Sequence, residues 1–417
     1  MAASGRTPRT DEPRYGARRH PSLRCAGRPR PRGPWRTAVA AVALGAAALA
    51  GCSSATGTAT GSGTSPTPAI PLSSSTVAGA TTWATLVMGR GDDTGTPAES
   101  LLALADGSPW QVVTPPGVVG HGDLVATATA LPASVLVGAV PSRKASRSPV
   151  ARRTGPGSAW EQGGLPSALA PVPDALVQGA VESLALLRSG GGAVVVTTGD
   201  LSRWTPVTSD RSLNRRPALS GCRIRALTAL TITADGSPLV GASCAAGGQA
   251  GLFAPTSTGW VSAGPGIPGV TGGPTEVLRL DLTAAGTTAL VSAGSGIGVR
   301  LYAMWSTNAL RTWTVSAGLS LDGAALVATG VTGPGGFVVT DRASGYAPTA
   351  SVVTPTGVQW HSLPALPSGT TSVTGTPSGG FDALVPAPSA LSVYGLAGQH
   401  WDEVQRPAVD GLVAPPA

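Results

Sequence analysis

The sequence predicts an all-β fold, a β-propeller, from two observations. Seven tryptophans recur at intervals of 41 to 56 residues, and each begins or directly precedes a short stretch of alternating polar and apolar residues. These tryptophans are Trp110, Trp160, Trp204, Trp260, Trp313, Trp360 and Trp401. In most repeats, three further short stretches rich in Val, Leu, Thr and Ala precede the tryptophan. Repeats of 40 to 50 residues that each supply four strands are typical of propeller blades.

The number of tryptophans favours seven four-stranded blades, with six or eight as alternatives because the first repeat is incomplete. That repeat contains the strand-like stretches ATLVMGR and SLLALAD but no clear innermost strand. Either residues 77–82 supply the missing strand, or the C-terminal GLVAP segment pairs with the first blade and closes the ring. Closure by the C-terminal segment would protect the sheet edges.

The chain begins with a basic leader. Residues 1–36 contain ten arginines against Asp11 and Glu12. The apolar run TAVAAVALGAAALA follows at 37–50, and it has the length of a signal-peptide core but is too short to span a bilayer as a mature helix. The order of basic, apolar and small residues predicts a signal peptide over residues 1–51, which is removed.

The apolar run ends in Leu49, Ala50, Gly51 and Cys52. This LAGC sequence resembles the lipobox of bacterial lipoprotein precursors. The resemblance implies that Cys52 receives a diacylglyceryl group on its thiol and becomes the new N-terminus after cleavage. Two acyl chains, such as palmitate, are enough for stable membrane attachment. The alternative is an ordinary signal peptide followed by an incidental cysteine.

Removal of the leader changes the charge balance. The whole chain has 28 basic and 21 acidic residues, a net charge of +7, but the leader holds ten of the former and two of the latter. The remaining 18 basic and 19 acidic residues nearly cancel. The composition therefore does not indicate a nucleic-acid partner.

A polar segment follows the cysteine. Residues 53–75 are rich in Ser, Thr and Gly and carry no charge. Such a segment buries too little apolar surface to offset the loss of backbone entropy. We therefore predict a flexible tether over residues 52–75, with a reach of roughly 25 Å, and a propeller domain over residues 76–417.

One turn of the repeat has a recognisable sequence. Residues 306–313 read STNALRTW, with Asn308 and Leu310 where the pattern S-x-D-x-G-x-T-W has aspartate and glycine. The segment resembles the Asp-box of sialidase-like propellers. The resemblance implies that this turn joins the third and fourth strands of a blade.

The cysteines have separate fates in this interpretation. Cys25 leaves with the leader and Cys52 takes lipid, which leaves Cys222 and Cys244 as an even pair in an oxidising compartment. Both lie at the same end of a predicted hairpin, offset from direct opposition. We predict a disulfide that places Cys222 in a bulge or a loop, and two buried free thiols are the alternative.

Basic residues of the mature chain cluster in two segments. They are Arg143, Lys144, Arg147, Arg152 and Arg153 in the second repeat, and Arg211, Arg215, Arg216, Arg223 and Arg225 between the third and fourth. Residues 143–147 are predicted to join the second and third strands of a blade, and residues 211–216 to join two blades. In a propeller these two loop types emerge on the same face. The predicted patch is Arg143, Lys144, Arg147, Arg211, Arg215 and Arg216, and the alternative is two solvated loops without a partner.

No catalytic, metal or cofactor site is predicted. A sialidase-like site would need an arginine cluster, a Tyr and Glu pair and a further acid, but Tyr302, Tyr346 and Tyr394 lie in no such sequence context. The mature histidines, His121, His361 and His400, form no HExxH pair.

The sequence thus favours a lipid-anchored binding or scaffold module at the outer face of the cell membrane. The expected partners are the membrane itself, through the anchor, and an anionic envelope polymer or an envelope protein. The alternative function is hydrolysis of an envelope glycan by a diverged sialidase-like site.

Overall fold

The computed structural model describes most of the chain that follows the predicted tether. The described residues are 73–90, 97–115, 124–130, 133–139, 147–153, 158–166, 173–189, 192–245, 248–271, 273–387 and 390–405. The chain divides into two compact units, Met1–Thr64 and Ser65–Ala417, and all the described residues belong to the second.

This unit is built almost entirely from strands. The first sixteen are β1 (Ser73–Ala78), β2 (Thr81–Arg90), β3 (Pro97–Ala105), β4 (Gln111–Val112), β5 (Leu124–Ala130), β6 (Ala133–Ala139), β7 (Arg147–Arg153), β8 (Glu161–Pro166), β9 (Pro173–Gln178), β10 (Ser183–Ser189), β11 (Gly192–Thr198), β12 (Thr205–Ser209), β13 (Ile224–Ile232), β14 (Pro238–Cys244), β15 (Gly251–Thr256) and β16 (Gly259–Ser262). The others are β17 (Thr275–Thr283), β18 (Gly286–Ala293), β19 (Arg300–Ser306), β20 (Thr314–Val315), β21 (Leu319–Ser320), β22 (Ala325–Val331), β23 (Phe337–Arg342), β24 (Thr349–Val353), β25 (His361–Ser362), β26 (Ser372–Gly375), β27 (Phe381–Ala387), β28 (Ala390–Ala397) and β29 (His400–Gln405). A short helix, α1, spans Asp210–Asn214, and 3-10 turns span Pro217–Leu219 and Gly296–Gly298.

Consecutive strands pair antiparallel in groups of four. The groups are β1–β4, β5–β8, β9–β12, β13–β16, β17–β20, β22–β25 and β26–β29, numbered here as blades 1 to 7. The short β21 adds to β19. The prediction of an all-β propeller is confirmed, and the described strands fall into these seven antiparallel groups.

The repeated tryptophans lie where the outermost strand of each blade begins. Trp260 and Trp401 are inside β16 and β29, and the others lie directly before their fourth strands. Several indole N–H groups donate to a backbone carbonyl of the preceding blade. Trp313 donates to the oxygen of Ala263 at 2.9 Å, and Trp360 to that of Ala317 at 3.0 Å. The tryptophan repeat therefore marks the contacts between neighbouring blades, as well as the blades themselves.

The hydrophobic core lies between neighbouring blades. Within the described residues, one buried cluster joins blades 1 and 2, another joins blades 2 and 3, and so on around the ring. The cluster that joins blades 7 and 1 contains Leu102, Trp110, Leu384 and Val393. Because this interface is packed like the others, the ring is closed.

The structure also shows how the first blade obtains its innermost strand. β1 (Ser73–Ala78) fills that position, and it also pairs in parallel with β22 of blade 6. Blade 7 takes its fourth strand, β29, from its own repeat. The GLVAP segment lies outside the described residues.

The predicted domain boundary at residue 76 is three residues too late, because β1 already begins at Ser73. The backbone N–H of Ser74 donates to the Thr85 hydroxyl at 3.1 Å, and Ser75 is 2 % exposed. Inner strands lie close to the axis of the ring, where small polar side chains fit. Three consecutive serines are therefore compatible both with a tether and with this strand, and composition alone does not separate the two.

Cys222 and Cys244 form a disulfide in the structure, with their Cα atoms 4.9 Å apart. Cys244 ends β14 and pairs in register with Ile224. Cys222 lies two residues earlier, in the turn before β13, which is the loop position that the offset register requires. Both side chains are buried in the cluster between blades 3 and 4.

Candidate functional site

The ring has two faces that are set by strand direction. The inner strands begin at one, called here the upper face, and end in the first hairpin turns of the blades at the other, the lower face. Because strands alternate in direction, the upper face also carries the turns between second and third strands. The chain enters the ring at Ser73, on the upper face.

The residues of the predicted basic patch that the structure describes lie on the upper face. Arg147 begins β7 and is exposed. Arg211 lies in α1, and Arg215 and Arg216 follow it in the connection between blades 3 and 4. Arg143 and Lys144 lie outside the described residues, so the complete patch stays a prediction.

Local sequence explains why α1 forms in this connection. The Ser209 hydroxyl accepts a hydrogen bond from the Ser212 N–H at 3.1 Å, and the Ser212 hydroxyl accepts one from the Ser209 N–H at 2.9 Å. This reciprocal cap begins the helix. The Asp210 carboxylate ties it to blade 3 by accepting from the Ala193 N–H at 3.0 Å. The helix therefore holds Arg211 at a fixed place on the upper face.

Further arginines join these on the upper face. Arg223, Arg225, Arg300 and Arg342 are exposed at strand ends or turns of this face. The described acidic residues on this side of the ring are Asp210, Asp322 and Asp341 near its surface, and Asp174 and Glu276 at the beginning of inner strands. Arginine therefore predominates over acidic residues in the described part of the upper face.

The lower face has the opposite charge. Its described acidic residues are Asp106, Glu161, Glu182, Asp200, Asp235, Asp402 and Glu403. Four described arginines also lie on this face. Arg152 forms an ion pair with Glu161 at 2.7 Å, the guanidinium of Arg153 lies 5.9 Å from the ring centroid of Trp160, and Arg203 and Arg311 are exposed. Acidic residues therefore outnumber arginines by seven to four. The propeller is therefore polarised, with a basic upper face and an acidic lower face.

A cluster of charged side chains lies near the upper face, on strands of blades 3, 4 and 5. The Arg188 Nε atom is 3.6 Å from a carboxylate oxygen of Asp174, and its guanidinium donates to the Leu227 oxygen at 3.3 Å. Burial raises the pKa of Glu276 to about 7, although the positive charge of Arg188 opposes the shift. Burial also raises the pKa of Asp174. This cluster can therefore take up or release a proton near neutral pH.

Further along the inner strands, Arg279 joins three blades. From the inner strand of blade 5, its guanidinium donates to the Asp281 carboxylate at 2.7 Å and to the Thr329 oxygen of blade 6 at 2.9 Å. It also donates to the Thr76 hydroxyl of blade 1. Because its donors are bonded to three inner strands, Arg279 ties these strands together and is not placed to receive a ligand.

A groove opens on the lower face, between the first hairpin turns of blades 3, 4 and 5. Its volume is about 1040 Å³, at the upper end of the range of ligand pockets. Apolar side chains line it, including Val181, Val207 and Leu282, and the acidic side chains Glu182 and Asp235 lie among them. Sequence reasoning did not predict this groove.

A repeated turn sequence could have pointed to the groove. The first hairpin turns of blades 4 to 7 read T-x-x-G, beginning at Thr233, Thr283, Thr332 and Thr376. The glycine has positive φ in each, as at Gly236 with φ of 83°. The corresponding turn of blade 3 reads GAVE instead, at 179–182. The equivalent turn of blade 1 reads AGAT at 78–81 and also lacks the pattern, so the pattern narrows the search to a few turns without locating the groove by itself.

The Asp-box-like segment lies between β19 and β20, the third and fourth strands of blade 5. The side-chain amide oxygen (Oδ1) of Asn308 accepts a hydrogen bond from the Thr312 N–H at 2.9 Å, and the Ser306 hydroxyl accepts from the Leu310 N–H at 3.0 Å. Leu310 has φ of 67°, a conformation that favours the glycine of the Asp-box pattern. The segment therefore forms a closed structural turn on the lower face.

The tyrosines of the hydrolase alternative lie in different blades. Tyr302 is in β19 and is buried in the core, Tyr346 follows β23 and is 75 % exposed, and Tyr394 is in β28. Among the described residues, no three His, Cys, Asp or Glu side chains are grouped as a metal site requires. None of the helices in the described ranges has the length and hydropathy of a membrane span.

Comparison with known proteins identifies relatives of the fold only. No protein-family model matches the sequence, and no curated protein is significantly similar to it. A Bacteroides uniformis protein provisionally named as a 6-phosphogluconolactonase aligns with a TM-score of 0.51 at 13% identity, over 78% of this chain and 96% of that chain. The β-propeller domain of the Trilobed protease from Pyrococcus furiosus aligns with a TM-score of 0.47 at 7% identity, over 79% of this chain and 96% of that chain. At such low identity the similarity concerns the fold and not the ligand.

Proposed function

We propose that this protein is a lipid-anchored lipoprotein at the outer face of the cell membrane, where its propeller acts as a binding module. The observation that carries the proposal is the charge of the upper face, where exposed arginines lie on the same side of the ring as Ser73, the first residue of the innermost strand of blade 1. An anchor on Cys52, joined through the tether to Ser73, and these arginines would approach the same anionic surface. The acidic lower face would then point away from the membrane.

The anchor is tested by fractionating bacteria that express the full chain. We expect the wild-type protein to remain in the membrane fraction after a high-salt wash, which screens contacts of exposed arginines. Cys52→Ser removes the thiol that would carry the acyl chains and should release the mature protein or block its processing. Cys25→Ser, a matched change within the leader, should have no effect. Equal processing and equal membrane retention of the Cys52→Ser protein would contradict the anchor.

The basic face is tested with residues 65–417, the compact unit that contains all the core clusters described above. Vesicles of phosphatidylglycerol and phosphatidylcholine should bind this unit at low salt, whereas phosphatidylcholine alone should not. At about 1 kcal/mol per arginine, combined Arg147→Ser, Arg211→Ser and Arg215→Ser substitutions should weaken binding on the order of a hundredfold.

The control for this experiment carries Arg203→Ser and Arg311→Ser, which remove exposed arginines from the lower face. It should bind the vesicles as the wild type does. If the two sets of substitutions had equal effects, or if binding did not depend on salt, the upper face would not be the docking surface.

A further inference from the structure

The groove on the lower face combines three features of a binding site. Val181 is 80 % exposed, although it is an apolar side chain at the edge of an apolar groove. It belongs to the hairpin turn of blade 3, which departs from the T-x-x-G sequence of blades 4 to 7. Glu182, beside it, is also exposed. The groove thus offers apolar surface and negative charge at the same place.

The acidic side chains of the groove are held in position by the turns. The Thr197 hydroxyl donates to the Glu182 carboxylate at 2.7 Å, and the Thr233 hydroxyl donates to the carboxylate of Asp235. Hydrogen bonds to Asp235 also lower the pKa of its carboxyl group, so it is ionised at neutral pH. These fixed negative charges lie on the acidic lower face, where anionic ligands are repelled.

The polar groups of the groove do not suit a sugar. Besides the bonds of Thr197 and Thr233, the Thr283 hydroxyl donates to the oxygen of Gly286 at 3.1 Å. The hydroxyls of Thr197, Thr233 and Thr283 thus donate to acceptors within the protein, whereas recognition of a glycan needs free, convergent polar groups. An occupant must instead bury apolar side chains and supply positive charge.

We propose that this groove binds an extended peptide segment of a partner protein, one that carries both apolar side chains and lysine or arginine. The apolar side chains would pack against Val181, Val207 and Leu282, and the cations would pair with Glu182 and Asp235. The inference deepens the proposed role as a binding module by naming the class of partner, and it is independent of the lipid anchor and the arginines.

The proposal is tested by fluorescence anisotropy with residues 65–417 and three fluorescein-labelled octapeptides. The peptides alternate Lys with Leu, Glu with Leu, and Lys with Ser. Only the Lys and Leu peptide should bind saturably, and added salt should weaken its binding. Val181→Ser, which changes an exposed side chain, should weaken it by about tenfold, or 1.4 kcal/mol.

A matched pair of substitutions separates local from general charge effects. Glu182→Gln removes the charge but keeps an acceptor for Thr197, and it should weaken binding by about fivefold. Asp106→Asn removes an equal charge from blade 1, on the same face but outside the groove, and should change binding by less than about twofold.

Several results would overturn the proposal. They are the absence of saturable binding at millimolar peptide, equal binding of the Lys and Ser peptide, and equal effects of Glu182→Gln and Asp106→Asn. The triple arginine variant separates the two proposals. It should bind the peptide as the wild type does but bind vesicles weakly. Val181→Ser and Glu182→Gln should bind vesicles as the wild type does but bind the peptide weakly.

Discussion

Replacing Arg279 with alanine is expected to lower the free energy of unfolding by about 3–5 kcal/mol at pH 7. The Asp281 side chain is only 4 % exposed, and the Arg279 guanidinium donates to both of its carboxylate oxygens, at 2.7 and 3.3 Å. Alanine would leave this carboxylate as an unpaired charge in the interior. It would also remove the hydrogen bonds that join blade 5 to Thr76 and Thr329.

This loss of stability should become smaller in acid. Burial raises the pKa of Asp281 in the folded ring, and Arg279 opposes the rise. Without Arg279 the pKa rises further, so the carboxyl group is protonated at a higher pH. An acid whose pKa is higher in the folded than in the unfolded state destabilises the fold. This penalty is complete above the folded-state pKa and decreases as the pH falls from that value towards the unfolded-state pKa. Urea unfolding at pH 7 and at pH 4.5 should therefore show the larger difference between variant and wild type at pH 7.

A double variant provides the control. Arg279→Met with Asp281→Leu replaces both charges by apolar groups of similar size, and it should be more stable than Arg279→Ala. The losses of unfolding free energy caused by Arg279→Met alone and by Asp281→Leu alone can be added. If the double variant lost as much as this sum, the ion pair would not be the source of the effect.

Replacing Trp110 with alanine is expected to lower the free energy of unfolding by about 3–5 kcal/mol, because it opens a cavity where the ring closes. Trp110 is 2 % exposed and packs with Leu102 of its own blade and Leu384 of blade 7. Its indole N–H donates to the carboxylate of Asp382 at 2.8 Å, across the same interface. Urea unfolding followed by circular dichroism measures the loss.

Two further variants separate packing from hydrogen bonding at this interface. Trp110→Phe keeps most of the packing but removes the donor to the buried Asp382, and we expect a loss of about 1.5–3 kcal/mol. Trp360→Ala removes a less buried member of the same repeat and should cost less than Trp110→Ala. Equal losses at Trp110 and Trp360 would show that ring closure has no special dependence on Trp110.

The sequence predicted the propeller because the signals that define a blade are local. A tryptophan every 41 to 56 residues, preceded by short runs of β-branched residues, is enough to indicate repeated four-stranded units. The structure places each of these tryptophans at the beginning of a fourth strand, as predicted. The pairing of Cys222 with Cys244 was also predictable, because few cysteines remain after the leader and their offset in the hairpin is short.

Other features needed the tertiary structure. The boundary at residue 76 was wrong because a serine-rich inner strand and a serine-rich tether have the same composition. The groove was missed because its walls come from hairpin turns about fifty residues apart, such as those at Thr233 and Thr283. The hydrogen bonds of Arg279 join strands of blades 1, 5 and 6, which are distant in sequence.

By itself, then, the sequence determined the class of fold, the blade repeat and a pair of basic segments, because these depend on residues close together in the chain. Only the tertiary structure decided how the ring closes, where the groove lies, and that the face opposite the basic segments is acidic. The physical reason is that strand direction sorts side chains onto two faces. Glu182 lies in the first turn of blade 3 and Arg211 in the connection that follows the same blade, but alternating strands bring them to opposite faces of the ring.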